Sequence, residues 1–182
     1  MGESLISKVK SGDKKAFEEL YNIYAEQALR TAMAITKNKA SAADAVQEAF
    51  IRVYNNINSF DESKPFSPWF YKILVNECNR LLSKNSRTVL ISNFFESGLD
   101  KSRYDSYKFQ EYENLYKAVQ NLKDINRIPI VLKYLKGFSE EEIAQILDIN
   151  INTVKSRLFK GRQKLRKYLE ILEGGSEKHG WN

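Results

Sequence analysis

The stretch SEEEIAQILDININTVKSRL, residues 139–158, reads as two helices joined by a tight turn. Ser139 and Glu142 have capping-box spacing: the hydroxyl accepts from the third backbone N–H of the helix, and the carboxylate reaches back to the cap's own N–H. The helix they start runs through Ile143, Ala144, Ile146 and Leu147. After the turn Asp148-Ile149-Asn150-Ile151, Asn152 is placed to cap a second helix starting at Thr153. Two helices that cross steeply need a small residue at the contact, here Ala144, and buried anchors on the second helix, here Val154 and Leu158. This is the arithmetic of a helix-turn-helix.

The second helix then displays Lys155, Arg157, Lys160, Arg162, Lys164, Arg166 and Lys167, with no acid between Asp148 and Glu170. Cations crowded on one helix repel each other, and phosphates opposite them relieve that repulsion. Taken alone, such a helix also suits a solvated surface, a calmodulin-type target or a membrane surface. Behind a capped helix and a turn it reads as a DNA recognition helix. Its early residues Lys155, Ser156, Phe159 and Lys160 are assigned to the major groove: lysine donates to guanine acceptors, serine suits several edges and the Phe159 ring meets a thymine methyl. Arg157 and Arg162 are assigned to phosphates, although helical periodicity alone leaves Arg157 open between the two sets.

Upstream, a helix is expected from about Asn114 with Leu115, Ala118, Val119 and Leu122 on one face. Ile128, Val131, Leu132 and Leu135 belong to the next. Pro129 would break a ladder begun at Asp124, so regular helix is expected from about Asn126. Residues 86–113 mix Ser, Asn, Asp and Lys with Phe94, Phe95, Tyr104, Tyr107 and Phe109, and read as a flexible linker.

Before that linker, a helix from about Lys14 to Ala34 carries Phe17, Leu20, Tyr21, Tyr24, Ala28, Ala32 and Ile35 on its core stripe. A second is expected to start at a Ser41 cap, with Ala42, Val46, Ala49, Phe50, Val53 and Ile57 inward. Its other side places Asp44, Gln47, Glu48, Ile51 and Asn55 at spacings of three and four, either a solvated face with one stray isoleucine or a docking strip for a basic partner helix. A third is expected from a Ser67 cap and Pro68 at the first helical position. Phe70, Ile73, Leu74, Cys78, Leu81 and Leu82 form its apolar face. Trp69, Lys72, Asn76, Asn79, Arg80, Ser83 and Arg87 form the other, which is an ordinary polar face or a grip for unpaired nucleic acid, where cations follow phosphates, rings stack on bases and amides read edges. Weak strand-like alternation occurs only near Thr88 to Ile91.

The resulting expectation is an all-α chain of two small helical domains, residues 1–85 and 114–173, joined by the linker 86–113 and followed by a tail, 174–182. Lys and Arg total 29 against 23 Asp and Glu, a net charge of +6, which favours a polyanionic partner. No apolar run is long enough to cross a bilayer and the first residues lack a signal-peptide pattern, so a cytoplasmic protein is expected. One cysteine, Cys78, and one histidine, His179, leave no disulfide and no metal site to expect, and no cofactor-binding motif is present. An enzyme built on Asp44, Glu48 or Glu77 is disfavoured, because these acids lie on separate faces without a supporting His, Cys or phosphate loop.

Three stretches together resemble the extracytoplasmic-function (ECF) sigma factors of bacterial RNA polymerase. Asp44-Ala-Val-Gln47-Glu48-Ala-Phe50 resembles the family's helix that binds the polymerase clamp, and Trp69-Phe-Tyr71-Lys-Ile73 through Asn76 resembles the helix that engages the minus-ten element. Glu142-Ile143-Ala144 through Thr153-Val-Lys155-Ser156-Arg157-Leu158 resembles the reader of the minus-thirty-five element. The resemblance implies a sigma two and a sigma four domain without the further domains of housekeeping sigma factors. Its implied partners are core polymerase, promoter DNA in duplex and single-stranded form, and a membrane-anchored anti-sigma factor; its usual setting is an envelope or stress response. It gives the strip at Asp44, Gln47, Glu48, Ile51 and Asn55 to the polymerase. Phe60 and Asn76 match residues that hold a base flipped from the minus-ten strand, with Trp69 either beside that pocket or in the core. Asn79, Lys123, Asp148 and Asn152 depart from the family's usual residues; Asp and Asn tolerate positive φ, so the turn survives. A free-standing helix-turn-helix regulator is the competing reading, and it has no use for a single-strand face carrying Trp69, Asn76 and Arg80.

Overall fold

A computed structural model describes residues 4–88 and 114–174, and every regular element among them is helical. The first block contains α1 (Leu5–Lys10), α2 (Lys14–Thr36), α3 (Lys39–Asn56), a 3₁₀ turn (Ile57–Ser59) and α4 (Phe66–Thr88). The second contains α5 (residues 114–120), α6 (Asp124–Ile130), a π-helical turn (Val131–Leu135), α7 (Glu140–Leu147) and α8 (Ile151–Gly174). Most of the expected linker, with its five aromatics, lies outside the described residues, as do residues 175–182 of the tail with His179; Gly174 ends α8.

In the first block α2, α3 and α4 pack on one another in a three-helix unit. Leu20, Ala28, Ala32 and Ile35 of α2 meet Ala42, Ala45, Ala49 and Val53 of α3, all essentially buried. The run of alanines lets the two helices approach closely, and Phe50, Phe70 and Leu74 fill the third side. The helix α1 ahead of them was not anticipated. It is tied down through Lys10, whose Nζ donates to the Phe60 carbonyl at 2.7 Å and pairs with Glu62 at 3.1 Å.

Several boundaries differ from those expected. Asn38 rather than Ser41 caps α3, its Oδ1 accepting from the Ser41 N–H at 2.9 Å. The helix α4 starts at Phe66, so Ser67 is no cap and shares a hydrogen bond with Tyr24 instead. Pro68 still falls in the first turn, where N–H groups have no helical partner to lose. The helix α6 starts at Asp124, not Asn126, which puts Pro129 at its sixth position. There the missing N–H interrupts the ladder, and the following turn widens to π geometry. The capping box at Ser139 forms with both bonds, 3.1 Å from the Glu142 N–H and 2.8 Å from the Ser139 N–H. Asp148 takes positive φ, +54°. Because it reverses the chain at once, α8 is already helical at Ile151, and the cap is Asn150, accepting from the Asn152 N–H at 2.8 Å.

The two blocks dock on each other through α4 against α7 and α2 against the α6 region. Arg127, fully buried, donates to the Leu122 carbonyl of its own block at 2.8 Å and to the Ile35 carbonyl of the other at 2.5 Å. The latter is one of the orphan carbonyls at the end of α2, a natural target for a cation. Lys136 lies 4.8 Å above the Tyr71 ring and hydrogen-bonds Gln27, while Phe138 meets Tyr71 edge to face at 5.2 Å. This docking covers Tyr71, and Tyr71 and Val75, both buried, lie outside the apolar face read from the sequence for α4.

Candidate partner and nucleic-acid interfaces

On α3, Asp44, Gln47, Ile51 and Asn55 are exposed and Glu48 is half-buried, so all five expected strip residues share one accessible side. The strip continues into an apolar groove of about 710 Å³ between α3 and α2, where Gln47 and Ile51 are joined by Phe17, Tyr21, Leu29 and Tyr54. Tyr21, expected in the core, is 44% exposed, and Tyr54 is 53% exposed. Leu29 and Tyr54 were missed altogether, since neither fits an acidic strip or a core stripe and only the pairing of two helices makes them one surface.

On α4, Asn76, Asn79 and Arg80 are exposed and Lys72 is half-buried, one to two turns apart along one side. At the start of the helix Phe60, Phe66 and Trp69 form a ring cluster with centroids 5.1 to 5.6 Å apart. Phe60 is only 4% exposed, so in this state it supports the cluster from beneath. Trp69 is half-buried on it, one side packed and the other accessible. Its two readings are therefore compatible. Beneath the strip, Glu77 is buried between Arg52 of α3 and Arg80. Sequence spacing offers Glu77 only as a catalytic acid, whereas the structure gives it two ion pairs.

On α8, Val154 and Leu158 are fully buried anchors and Gly161 is buried. Lys155, Ser156, Phe159, Lys160 and Arg162 are exposed, with Thr153 and Arg157 half-buried. At ~100° per residue, Arg157 and Arg162 fall on the two borders of the buried stripe and Lys155, Ser156, Phe159 and Lys160 on the outer face between them. The Phe159 ring is 55% exposed on a polar helix. The α8 cations lie close to α7: attraction from Lys155 helps hold the Glu141 carboxyl below the usual range, after its backbone and Ser139 hydrogen bonds.

Among the described residues no cluster of three or more His, Cys, Asp or Glu side chains is arranged to hold a metal ion, and no helix is long and apolar enough to cross a membrane.

Residues 20–88 match the family model for sigma-70 region 2 and residues 112–165 that for sigma-70 region 4. The chain is similar to the ECF RNA polymerase sigma factor SigW of Bacillus subtilis, 34% identical over 181 residues, covering 92% of this chain and 96% of the relative. It is also similar to the ECF RNA polymerase sigma-E factor of Escherichia coli K12, 30% identical over 180 residues, with 92% and 94% covered. Among solved structures, the sigma factor RpoE from Bartonella quintana, in complex with the anti-sigma factor NepR, superposes with a TM-score of 0.73 at 27% identity over 86% of this chain and 98% of that one. CnrH in complex with the cytosolic domain of CnrY shares the fold, with a TM-score of 0.70 at 22% identity over 92% and 96%.

Proposed function

The chain belongs to the ECF sigma factors of RNA polymerase, transcription initiation factors rather than enzymes, and on that footing we propose that it binds core polymerase through the first block and reads promoter DNA with both blocks. Residues 1–85 act as the sigma two unit and 114–173 as the sigma four unit, with 86–113 between them and 174–182 as a tail. Asp44, Gln47, Glu48, Ile51 and Asn55 face the polymerase clamp. Trp69, Lys72, Asn76, Asn79 and Arg80 hold the unpaired minus-ten strand, with Phe60 as the floor of the ring cluster. Thr153, Lys155, Ser156, Arg157, Phe159, Lys160 and Arg162 engage the minus-thirty-five duplex. Holding unpaired bases favours melted DNA without chemistry, since roughly 1–3 kcal/mol of stacking per base offsets the loss of pairing.

The observation that supports this most is the division of labour within one three-helix unit. It exposes an acidic and apolar strip on α3 and an amide and cation strip on α4, where a simple duplex-binding regulator would need neither. An anti-sigma partner is part of the proposal, supported by the complex of the similar RpoE. Its anchoring in a membrane and a cytoplasmic site of action follow the usual pattern of the family.

The test is reconstitution. Purified protein is added to sigma-free core polymerase with a promoter library, and run-off transcripts are sequenced. Initiation at a defined set of minus-ten and minus-thirty-five pairs is expected; specific duplex binding by the protein alone, with no initiation on any template, would replace the proposal with a free-standing regulator.

A further inference from the structure

Among the described residues of the first block Glu77 is the buried acid, 3% exposed and placed in α4 between the exposed Asn76 and the buried Cys78. Each of its carboxylate oxygens is taken by a different arginine. Oε2 accepts from Arg80 Nε at 2.7 Å, one turn along the same helix, and Oε1 forms an ion pair with Arg52 Nε at 2.5 Å, across from α3. Burying a carboxylate is costly unless it is paired and hydrogen-bonded, so this acid holds its place through the two guanidinium groups. Both arginines remain about half exposed, 51% for Arg52 and 50% for Arg80. Because Arg80 is held through Nε, the N–H donors on its two terminal nitrogens stay available to a further acceptor. An unanchored arginine would give up rotamer freedom on gripping a phosphate; an arginine already fixed gives up less. Glu77, and after it Glu48, also favour the charged guanidinium.

We propose that Glu77 is a positioning residue, which fixes the Arg80 guanidinium on the α4 face so that it meets a backbone phosphate of the unpaired strand already oriented. The inference rests on the assignment of Arg80 to that strand. A neutral or shorter side chain at position 77 frees Arg80 to sample rotamers, and the strand contact weakens while the fold and the α3 strip persist.

A double-mutant cycle tests this on the full chain bound to core polymerase, with a fluorescein-labelled pool of random single-stranded 12-mers as probe and core polymerase alone as blank. Glu77→Gln and Arg80→Ala are each expected to weaken binding about tenfold. Each should also lower the slope of log affinity against log salt by about 0.7, one phosphate contact. The double variant should lose no more than either single one. Far-UV circular dichroism and affinity for core polymerase are expected to stay at the parent values. If Glu77→Gln does not fold, Glu77→Asp, which keeps the charge and withdraws it by one methylene, carries the same cycle. An Arg80→Ala effect with no Glu77 effect, or with additive effects, overturns the positioning role while leaving the strand assignment intact. No effect from Arg80→Ala overturns the strand assignment itself, and the positioning role with it.

Discussion

Asn76 and Cys78 are two residues apart on α4 and meet opposite environments. Asn76 is exposed beside Lys72 and Arg80, where its amide has both a donor and an acceptor for a base edge. Asn76→Ala is expected to reduce open-complex formation, read by permanganate footprinting, with affinity for core polymerase within twofold of the parent. Equal loss of core affinity would mark Asn76 as structural. Cys78 is fully buried, and burial, with a smaller contribution from the Glu77 charge, pushes its thiol up to about 12. Since the thiolate is the reactive form, the folded protein should resist iodoacetamide at pH 8 and label only as it unfolds. Rapid labelling of the native protein would contradict that burial. Sequence periodicity placed Cys78 on the apolar face correctly. It could not place Glu77, because a charged residue reads as surface until the two arginines that neutralise it are seen together.

At the scale of elements, α8 carries both the proposed reading face and the packing that holds it in place. A Cβ on Gly161 would stand 2.7 Å from Cγ1 and 3.0 Å from Cδ1 of Ile130, so the glycine is what lets α8 press against α6. Alanine is the better helix former by about 1 kcal/mol, whereas overpacking typically costs about 1–3 kcal/mol. The clash dominates, and Gly161→Ala is expected to lower the urea midpoint; a rise would mean that Ile130 yields freely. On the outer face, Lys160→Ala should weaken binding to minus-thirty-five duplex. If Lys160 touches a base edge, the loss depends on the base opposite; if it meets only phosphate, all sequences weaken alike and the salt slope falls by about 0.9. A change in neither affinity nor slope would remove Lys160 from the interface. The helix-turn-helix was legible because its signals are local: a capping box, a turn residue tolerant of positive φ, and anchors four residues apart. The starts of α3 and α8 were less so, since neighbouring residues, Asn38 and Ser41 or Asn150 and Asn152, offer competing caps; α6 starts ahead of Asn126 because the π turn after Pro129 takes up the missing N–H.

For the whole molecule, the docked blocks raise a question of reach. Elements named for positions minus ten and minus thirty-five are about 25 base pairs apart, or ~85 Å at 3.4 Å per base pair. A compact body of about 150 residues has a radius of gyration of only ~15 Å. Both readers can work at once only if the blocks part, which requires breaking the Arg127 bond to the Ile35 carbonyl and the Lys136 and Phe138 contacts to Tyr71. Arg127→Ala leaves the buried Leu122 and Ile35 carbonyls without their donor and is expected to cost about 1–3 kcal/mol. It should also increase the radius of gyration measured by small-angle X-ray scattering. An unchanged radius would show that Arg127 stabilises only its own block through Leu122 and Asp124.

The sequence by itself determined the helical class, the two blocks, the helix-turn-helix and the sides of α3 and α4 that face away from their own core. These follow from spacing along the chain, and a period of 3.6 residues or a cap is complete within a few residues of itself. Tertiary structure decided what depends on residues distant in sequence: the groove that joins Tyr21 and Leu29 to Tyr54, the covering of Tyr71 by Lys136 and Phe138, the placing of Phe60 beneath Trp69, and the pairing of Glu77 with Arg52. Each is a matter of which surface another element covers, and burial sets whether a ring is core or contact and whether a charge is solvated or locked.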